Sequence, residues 1–483
     1  MNSPPAPSVL RGSACSHSMH MHTFCTRPPS NYILKKPQHF PHNMNANFQT
    51  MEEISVDDII ISPEHSFDNI PLYPIPLKGL PALRAVFKDY LPVLPSLNLR
   101  PVVIKEVKKM INCQNPESGT YYVCPDCNFQ KFVPFTCKSR FCPTCGAIIN
   151  KQRCVAISDR ILDVDHRQWT FTIPKSLWPY FKDHWERINI LFDAASETIR
   201  ILTKGICPSL DVEPGFVGIL HTFGRSNEFF EPHLHFIVSA GGLTKYGKWF
   251  VIKHYSYEKA RMTFQHILLK KLSLPSVLGS SFRPVAKELK DKYPKGFVVN
   301  LPPPEPRFQN NVKSAVKYIA RYVARPCIAS GRIDAYDGRN VTYHYSPHDS
   351  DETVSSTLPA LTFIQYLTQH IPEENFRIIR YYGLYNRSNQ EDVDRIKIAT
   401  EKGTVDFLYS PEDKEYRQYY AHWRGSMIHS FSVDPLCCPE CGCNDMLALY
   451  AKYNGETYYA PDTRPRYQGP PPQKKSKGKR GGK

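Results

Sequence analysis

Three histidines in two short apolar stretches have the spacing of a metal site. His221 lies in Val-Gly-Ile-Leu-His-Thr (217–222), and His233 and His235 lie in Pro-His-Leu-His-Phe-Ile-Val (232–238). Both stretches are typical of β-strands, in which successive side chains point to opposite faces. His233 and His235 therefore share one face, and a hairpin connection would place His221 across from them. Three imidazoles that converge from paired strands could hold one metal ion with an open coordination position.

Two tyrosines and two arginines further along the chain could supply the nucleophile that such a site lacks. The stretch 317–326 predicts a helix that its final proline ends. At 100° per residue, one arc of this helix carries Tyr318, Arg321, Tyr322 and Arg325. A phenol oxygen can attack phosphorus, a metal ion can polarise the phosphate, and a guanidinium group can neutralise its charge. The combination suits attack on a phosphodiester.

Six cysteines follow each other closely between residues 113 and 145. Cys-Pro-Asp-Cys at 124–127 and Cys-Pro-Thr-Cys at 142–145 are two knuckles, each able to hold a tetrahedral metal from one side. The expected zinc ligands are Cys124, Cys127, Cys142 and Cys145. Cys113 and Cys137 either form a second, partial site or substitute for members of this set. Zinc here would contribute to folding, because so short a module buries little apolar surface.

A third knuckle lies near the end of the chain, in Cys-Cys-Pro-Glu-Cys-Gly-Cys (437–443). Cys438 and Cys441 are its expected ligand pair, but the sequence shows no clear second half. Either Cys437 or Cys443 completes the site, or the knuckle is a metal-free remnant.

Composition restricts the class of protein. The 483 residues carry a net charge of +16, from 61 basic and 45 acidic residues, which favours a polyanionic partner. Aromatic residues make up 12% of the chain and are suited to stacking on unpaired bases. No apolar run has the length of a membrane span, and the N-terminus lacks a secretory segment. The clustered cysteines therefore indicate metal binding in a reducing compartment and not a disulfide framework.

The apolar periodicity predicts a mixed fold. Strand, helix, strand, strand, helix and strand follow in the order of a ferredoxin-like or RRM-like sheet. These elements are expected at residues 168–173, 185–202, 217–222, 232–238, 257–272 and 296–301. Helices are also predicted at 83–91, 102–111 and 361–370, and strands at 341–345 and 376–382. The last strand carries Arg377 and Arg380, which either line a DNA groove or belong to the scaffold.

Several separated motifs carry a resemblance to a known family. They are Pro-His-Leu-His-Phe-Ile-Val with Gly241-Gly242, Leu-His-Thr-Phe-Gly (220–224), Tyr-Ile-Ala-Arg-Tyr (318–322), Ser-Arg-Phe-Cys-Pro (139–143), Arg-Tyr-Tyr-Gly-Leu (380–384) and Asp-Pro-Leu (434–436). In this order they resemble the HUH transposases with two tyrosines, the rolling-circle transposases of the insertion sequence 91 family. One position departs from the pattern: Glu231 stands where many relatives have a third clustered histidine. Glu228 or Glu231 could therefore contribute to the metal site.

The resemblance implies an α+β fold with a ferredoxin-like, antiparallel-sheet HUH nuclease core behind an N-terminal cysteine-rich zinc module. It implies an enzyme that cuts single-stranded DNA through a 5′-phosphotyrosine link and leaves a free 3′-hydroxyl. The expected cofactors are structural Zn²⁺ and catalytic Mg²⁺ or Mn²⁺. The expected partners are single-stranded element ends, recognised by the zinc module, and a host helicase or the replication machinery. We expect the protein in a bacterial cytoplasm, associated with the nucleoid and not with a membrane.

The predicted organisation has five parts. A disordered tail (1–60) precedes a helical and zinc-binding DNA-recognition domain (61–154). The HUH catalytic domain (155–390) is followed by a region with the third knuckle (391–460) and by a flexible basic tail (461–483).

Two other functions are compatible with the sequence. A plasmid replication initiator or a relaxase would use the same chemistry. A nonenzymatic zinc-finger DNA-binding protein would bind DNA without metal-dependent cleavage, but it leaves the spacing of Tyr318 and Tyr322 unexplained.

Overall fold

The computed structural model describes residues 70–224, 228–302, 327–346, 352–410, 414, 423–431, 433–453 and 455–459. All of them belong to one compact unit. The predicted tails at 1–60 and 461–483 lie outside the described residues. So does the predicted helix 317–326, and with it Tyr318, Arg321, Tyr322 and Arg325.

The described residues form the following elements. The helices are α1 Gly79–Asp89, α2 Pro101–Ile111, α3 Pro143–Ser158, α4 Ile188–Lys204, α5 Tyr257–Leu272, α6 Arg283–Lys292, α7 Ala360–Thr368, α8 Gln390–Glu401 and α9 Trp423–Phe431. The strands are β1 Gly119–Val123, β2 Gln130–Pro134, β3 His166–Thr172, β4 Gly215–His221, β5 His233–Ser239, β6 Gly241–Leu243, β7 Trp249–Val251, β8 Val299–Asn300, β9 Ile333–Tyr336, β10 Asn340–Tyr345, β11 Val354–Pro359, β12 Ile379–Gly383, β13 Leu447–Tyr453 and β14 Glu456–Tyr459.

The central element is a five-stranded sheet in the order β12-β4-β5-β3-β8. Each pair of neighbouring strands is antiparallel. Helix α4 lies in the chain between β3 and β4, and helix α5 lies between β5 and β8. The prediction of a mixed α+β fold with an antiparallel sheet is therefore confirmed.

One face of this sheet packs against helices α4 and α5. The alternation in β5 sends Leu234, Phe236 and Val238 into this core, as the sequence predicts. The Phe236 ring lies 5.5 Å from the ring of Phe171, centroid to centroid. Gly218 of β4 pairs with Phe236, and a Cβ on Gly218 would lie 2.5 Å from the phenylalanine ring. A glycine is therefore required where the ring crosses the neighbouring strand.

The opposite face of the sheet is also buried over most of its length. Val217, Ile219 and Ile237 pack there with residues from α3 and α8 and with Tyr385. The Tyr385 hydroxyl forms a 2.6 Å hydrogen bond with Nε2 of His166. Burial on both faces fixes the register of the strands, because a slip by one residue would exchange the two sets of side chains.

A second core lies around α1, α2 and α7. It includes the three-stranded sheet β11-β10-β9 and the apolar side chains of the first two helices. Cys113, Cys142 and Cys145 belong to this core. The helices predicted at 83–91, 102–111 and 361–370 are those of this core, and their ends differ from the prediction by at most four residues.

A four-stranded sheet joins two distant parts of the chain, in the order β14-β13-β1-β2. β1 and β2 form a hairpin, and β13 pairs with β1 in an antiparallel register. Residues 447–459 therefore complete a sheet that begins at residue 119. Helix α3 also continues across the predicted domain boundary at 154/155, since it ends at Ser158.

The predicted strand 296–301 is shorter in the structure, where only Val299–Asn300 pair with β3. Gly296 has a φ of +77°, and a Cβ there would lie 2.3 Å from the backbone of Arg261. The chain turns at this glycine against α5 and reaches the sheet only afterwards. Within the parts of the chain that the structure describes, no helix is long and apolar enough to cross a membrane.

Phe236 is the side chain through which the stability of this sheet can be tested. Replacing Phe236 by alanine removes a buried ring between β3 and β4, and we expect a loss of about 3–5 kcal/mol in the free energy of unfolding. Urea unfolding followed by tryptophan fluorescence measures this loss, since Trp169 is buried in the same core. The matched substitution Phe229→Ala, at a ring that is 49% exposed, should cost roughly 0.5 kcal/mol or less. Equal losses in the two variants would contradict the packing described here.

Candidate metal centres

The histidines of β4 and β5 meet at one end of the central sheet. His221 pairs with His233, and Ile219 pairs with His235. The ring centroids of His221 and His235 are 4.6 Å apart, and those of His233 and His235 are 5.0 Å apart. One ligand nitrogen of each ring lies within 4.8 Å of the others. The structure therefore brings together the three histidines that the sequence analysis selected.

Hydrogen bonds fix the orientation of two of these imidazoles. Nδ1 of His233 lies 2.8 Å from the backbone carbonyl of Glu231. A carbonyl only accepts, so Nδ1 donates, and Nε2 keeps its lone pair for a metal ion. Nδ1 of His235 lies 3.2 Å from the Thr170 hydroxyl and 3.2 Å from the Gln168 side-chain amide. The Gln168 amide nitrogen only donates, whereas the Thr170 hydroxyl can accept. In the tautomer with a proton on Nδ1, the hydroxyl accepts that proton and Nε2 of His235 is the ligand atom.

Burial keeps these imidazoles neutral. It lowers the pKa of His233, and it lowers the pKa of His235 to about 3, with a smaller contribution from the neighbouring His233. Neutral imidazole is the form that binds a metal ion. At neutral pH the pair can therefore bind a cation without first losing a proton.

The acidic residues near the histidines contribute in another way. Among the described residues, the group within ligand distance consists of the three histidines, without the carboxylates of Glu228 or Glu231. Glu231 acts through its backbone carbonyl on His233, and the Glu228 carbonyl accepts from the Gln369 side chain at 3.0 Å. In the structure Glu231 thus orients a histidine.

A groove of about 360 Å³ separates the histidine-bearing strand from the cysteine-rich part of the chain. Leu220, Thr222 and Phe223 line one side of it, whereas His221, His233 and His235 are not among its lining residues. The Phe223 ring stacks on His221, with ring centroids 5.5 Å apart. Five basic side chains also line it: Lys105, Lys109, Lys138, Arg140 and Arg153. Its carboxylates are engaged with other groups, since Glu106 accepts from Lys109 and Ser139, and Glu374 accepts from Lys105.

Among the described residues, no carboxylate forms an ion pair with Arg140 or Arg153 in this groove. Burial lowers the pKa of Arg140 to about 9, with repulsion from Arg153 as the next cause, and burial also lowers the pKa of Arg153. Nη1 of Arg153 is buried and has no hydrogen-bond partner in the described structure. A buried guanidinium group is costly unless it is paired. The groove is therefore suited to an anion.

A second, wider groove of about 1000 Å³ continues from the first along β12, and both include Trp185 and Phe376. Arg377 and Arg380 line it, as does Arg160, whose guanidinium group lies 4.2 Å from the Tyr381 ring centroid. Basic groups beside aromatic rings are typical of surfaces that bind single-stranded nucleic acid.

The cysteines form two clusters. The first cluster consists of Cys113, Cys137, Cys142 and Cys145, whose Sγ atoms all lie within 4.8 Å of one another. The Sγ atoms of Cys113 and Cys145 are 3.6 Å apart. Hydrogen bonds from the thiols of Cys113, Cys137 and Cys145 lower the pKa of Cys142, which favours the thiolate that binds metal.

The second cluster consists of Cys124, Cys127, Cys438 and Cys441, whose Sγ atoms also lie within 4.8 Å of one another. This corrects the predicted single set, because Cys124 and Cys127 lie apart from Cys142 and Cys145. The reason is the hairpin: the 124–127 knuckle is the turn between β1 and β2, whereas the 142–145 knuckle lies at the open end. Five residues of strand separate the two ends by roughly 16 Å.

Some of the residues that complete these sites were not predicted from the sequence. Gln168 and Thr170 were part of a predicted strand, and only its pairing with β5 shows that they contact His235. Arg140 and Arg153 line one groove only because distant elements pack together, and no local sequence pattern indicates this. The partners of Cys438 and Cys441 could have been found by noting that Cys113 and Cys137 complement the 142–145 knuckle.

Comparison with known protein families gives two matches. The family model described as "Putative transposase" matches residues 215–392, which include the three histidines and β12. The model described as "Transposase zinc-binding domain", of the insertion sequence 91 type, matches residues 83–173, which include the first six clustered cysteines.

Two curated proteins are similar over most of their length. The transposase for insertion sequence element IS801 from Pseudomonas savastanoi pv. phaseolicola is 27% identical over 398 residues, covering 77% of this chain and 89% of that protein. The putative transposase y4qJ from Sinorhizobium fredii is 25% identical over 356 residues, covering 68% of this chain and 84% of that protein. No solved structure gives a significant match. With both family models and these relatives in agreement, the chain belongs to the insertion sequence 91 family of transposases and carries the zinc-binding domain of that family in its N-terminal part.

Proposed function

We propose that this transposase cuts and joins single-stranded DNA through a bond between tyrosine and phosphate, in rolling-circle transposition. The observation that carries the proposal is the convergence of His221, His233 and His235 at one end of two paired strands. Three imidazole ligands near a basic groove suit a divalent ion that acts on a phosphodiester.

The topology of the sheet supports an HUH nuclease core. Strands β3, β4, β5 and β8 correspond to the first, second, third and fourth strands of the predicted pattern. In the sheet they lie side by side in the order β4, β5, β3, β8, which is second, third, first, fourth. With α4 after the first strand and α5 after the third, this is the order of a ferredoxin-like sheet. β12 adds a fifth strand next to β4.

The three histidines would hold Mg²⁺ or Mn²⁺ through Nε2 of His233 and of His235 and one nitrogen of His221. When bound, the ion supplies Lewis-acid polarisation of a phosphate oxygen. Nitrogen ligands favour Mn²⁺ over Mg²⁺. The chain itself orients the ligands through the Glu231 carbonyl and the Thr170 hydroxyl, which keep the Nδ1 protons away from the metal-binding side.

The nucleophile in this proposal is the phenol oxygen of Tyr318 or Tyr322. The oxygen forms a bond to phosphorus, the bond from phosphorus to the 3′-oxygen breaks, and that oxygen leaves as the free 3′-hydroxyl. The product is a 5′-phosphotyrosine, and a second tyrosine permits a second cleavage before the first end is released. Arg321 or Arg325 would neutralise the phosphate and favour the phenolate.

The described structure supports the reach of these tyrosines. Cys327 lines the same groove as Phe223, whose ring stacks on His221. Tyr322 precedes Cys327 by five residues, so its Cα lies at most about 18 Å from that of Cys327. This distance is compatible with a phenol oxygen that reaches the groove.

The two grooves would hold the DNA strand on either side of the cleaved phosphate. Arg140 and Arg153 are placed to bind a backbone phosphate, and β12 offers aromatic rings and further arginines to unpaired bases. We further propose that the zinc-binding domain recognises the element ends. The sequence has no Walker motif, so a host helicase or the replication machinery would expose the strand at the nucleoid.

A covalent adduct tests the chemistry. We expect the protein to form a denaturation-resistant adduct with a single-stranded oligonucleotide from an element end when Mg²⁺ or Mn²⁺ is present. Replacing both Tyr318 and Tyr322 by phenylalanine should abolish the adduct, because neither residue then offers an oxygen to phosphorus. Adduct yield is measured by electrophoresis of labelled DNA after denaturation.

The matched control is Tyr246→Phe, at an exposed tyrosine in the turn between β6 and β7, which should leave the adduct yield unchanged. His233→Ala with His235→Ala should lose the adduct while DNA binding persists. An unaltered yield in the double tyrosine variant would rule out the proposed linkage. Tight DNA binding without any cleavage would favour the nonenzymatic alternative.

The anion site at Arg153 gives a separate prediction for DNA binding. Arg153→Gln should weaken the binding of a single-stranded oligonucleotide roughly tenfold, as expected for the loss of one charged hydrogen bond. The slope of log Kd against log salt concentration should fall by about 0.7, the value for one phosphate contact with a single strand. Fluorescence anisotropy at several salt concentrations measures both quantities.

Arg283→Gln, at an exposed arginine at the start of α6, is the control and should change neither quantity. If the two arginine variants have the same affinity and the same salt slope, the groove does not hold a DNA phosphate.

A further inference from the structure

We propose that Cys124, Cys127, Cys438 and Cys441 bind a second zinc ion, which clips the C-terminal part of the chain to the N-terminal cysteine-rich hairpin. Cys438 and Cys441 lie outside the residues that match the zinc-binding family model, 83–173. The proposal is independent of the strand-transfer chemistry.

The sulfur positions fit a tetrahedral ion. The Sγ atoms of Cys124 and Cys441 are 3.4 Å apart, and those of Cys127 and Cys438 are 3.5 Å apart. A tetrahedral zinc ion with Zn–S bonds of about 2.3 Å separates its sulfurs by about 3.8 Å. Each short contact joins one knuckle to the other, so the two knuckles face one another across the site. All four cysteines are free thiols.

Both knuckles have the same backbone turn. The Asn128 amide donates to the Cys124 carbonyl at 3.0 Å, and the Gly442 amide donates to the Cys438 carbonyl at 3.0 Å. Asn128 and Gly442, each directly after the second cysteine of its knuckle, have φ values of +58° and +78°. The two turns thus present their sulfurs in equivalent ways, although they lie more than 300 residues apart.

Strand pairing brings the two knuckles together. β13 runs antiparallel to β1, and Leu447 at the start of β13 pairs with Val123 at the end of β1. The residues before Leu447 therefore lie beside the turn that follows Val123. Cys124 and Cys438 are buried there in a small cluster with Met446. So small an apolar cluster contributes little stability by itself, which is typical of modules that depend on a metal.

The neighbouring cysteines are directed elsewhere. The Cys437 sulfur faces the carbonyls of Cys438 and Gly442, at 3.8 and 4.0 Å. Cys443 shares a group with Cys124 and the exposed Asp126, but this group has only three members. Four thiolates are the preferred set for structural zinc. The two alternatives for the third knuckle, completion by Cys437 or by Cys443, are therefore less well supported than completion by Cys124 and Cys127.

The clip and the first cluster are separate sites at opposite ends of one hairpin. The first cluster connects the end of α2 with the start of α3, and the clip connects the hairpin turn with β13. The N-terminal zinc module would therefore be complete only when residues 434–459 are attached to it.

Metal counts in paired cysteine-to-serine variants test the clip. Zinc per purified full-length chain should fall by one ion in Cys438→Ser with Cys441→Ser. When Cys142→Ser and Cys145→Ser are added to this variant, the chain should lose one more zinc ion, because a different site is lost. Adding Cys124→Ser with Cys127→Ser to the first variant should remove no further ion, because the same site is already lost.

Cys437→Ser with Cys443→Ser is the control and should retain the wild-type count. Any ion at the histidine site is common to all variants and cancels in the differences. An unchanged zinc content in Cys438→Ser with Cys441→Ser would overturn the proposal. So would an additive loss when Cys124→Ser and Cys127→Ser are joined to it.

A second measurement uses the unmodified protein, so that misfolding of a variant does not affect it. The native chain is treated with a thiol-alkylating reagent, with and without a zinc chelator, and the labelled peptides are identified by mass spectrometry. We expect protection of Cys124, Cys127, Cys438 and Cys441 to be lost together on chelation, while Cys207 reacts in both samples. Rapid labelling of Cys438 and Cys441 in untreated protein, with Cys124 and Cys127 still protected, would contradict the clip. Neither measurement requires DNA cleavage, so its outcome is separate from that of the proposed function.

Discussion

The register between β4 and β5 is the constraint on which the histidine site depends. In this register His221 faces His233, and Phe236 crosses Gly218. A shift of one residue would turn the histidines into the aromatic core and the aromatic rings towards the metal. The sheet is buried on both faces, and so both sets of side chains oppose such a shift. The position of the metal ligands thus follows from hydrophobic packing, which is not specific to the chemistry.

The same burial determines the protonation state of His233 and His235. Imidazoles removed from water lose the stabilisation of their charged form, and their pKa falls. Each neutral ring then needs an acceptor for its remaining proton, and a backbone carbonyl and a hydroxyl provide it for His233 and His235. In the adjoining groove, the described residues offer Arg140 and Arg153 no carboxylate partner, and Nη1 of Arg153 is buried without a hydrogen bond, so this groove is suited to an anion.

The part of the site that depends on local pattern could be predicted from the sequence. The period of two in 232–238 and the short connection from His221 identify the three ligands, because the hairpin brings them together within a few residues. The helices α1, α2 and α5 and the strands of the core were also predicted, since each contains its own apolar periodicity. The cysteine pairing could not be predicted in this way. Cys124 meets Cys441 through a strand ladder between residues 317 positions apart, and local spacing favours the nearer knuckle.

Helix α3 connects the cysteine-rich module with the core of the histidine-bearing sheet. Helix α3 begins with the knuckle of Cys142 and Cys145, carries Arg153, and ends with Ile157 in the core beneath β4 and β5. A metal ion held by that knuckle would fix the first turn of α3 and, through the rigid helix, the direction of Arg153. The groove that contains Arg140 and Arg153 therefore has one wall from the cysteine-rich module and the other from the residues that flank His221. Under the proposed function, a DNA strand bound in it would contact both parts at once, and recognition and cleavage would then be properties of one surface.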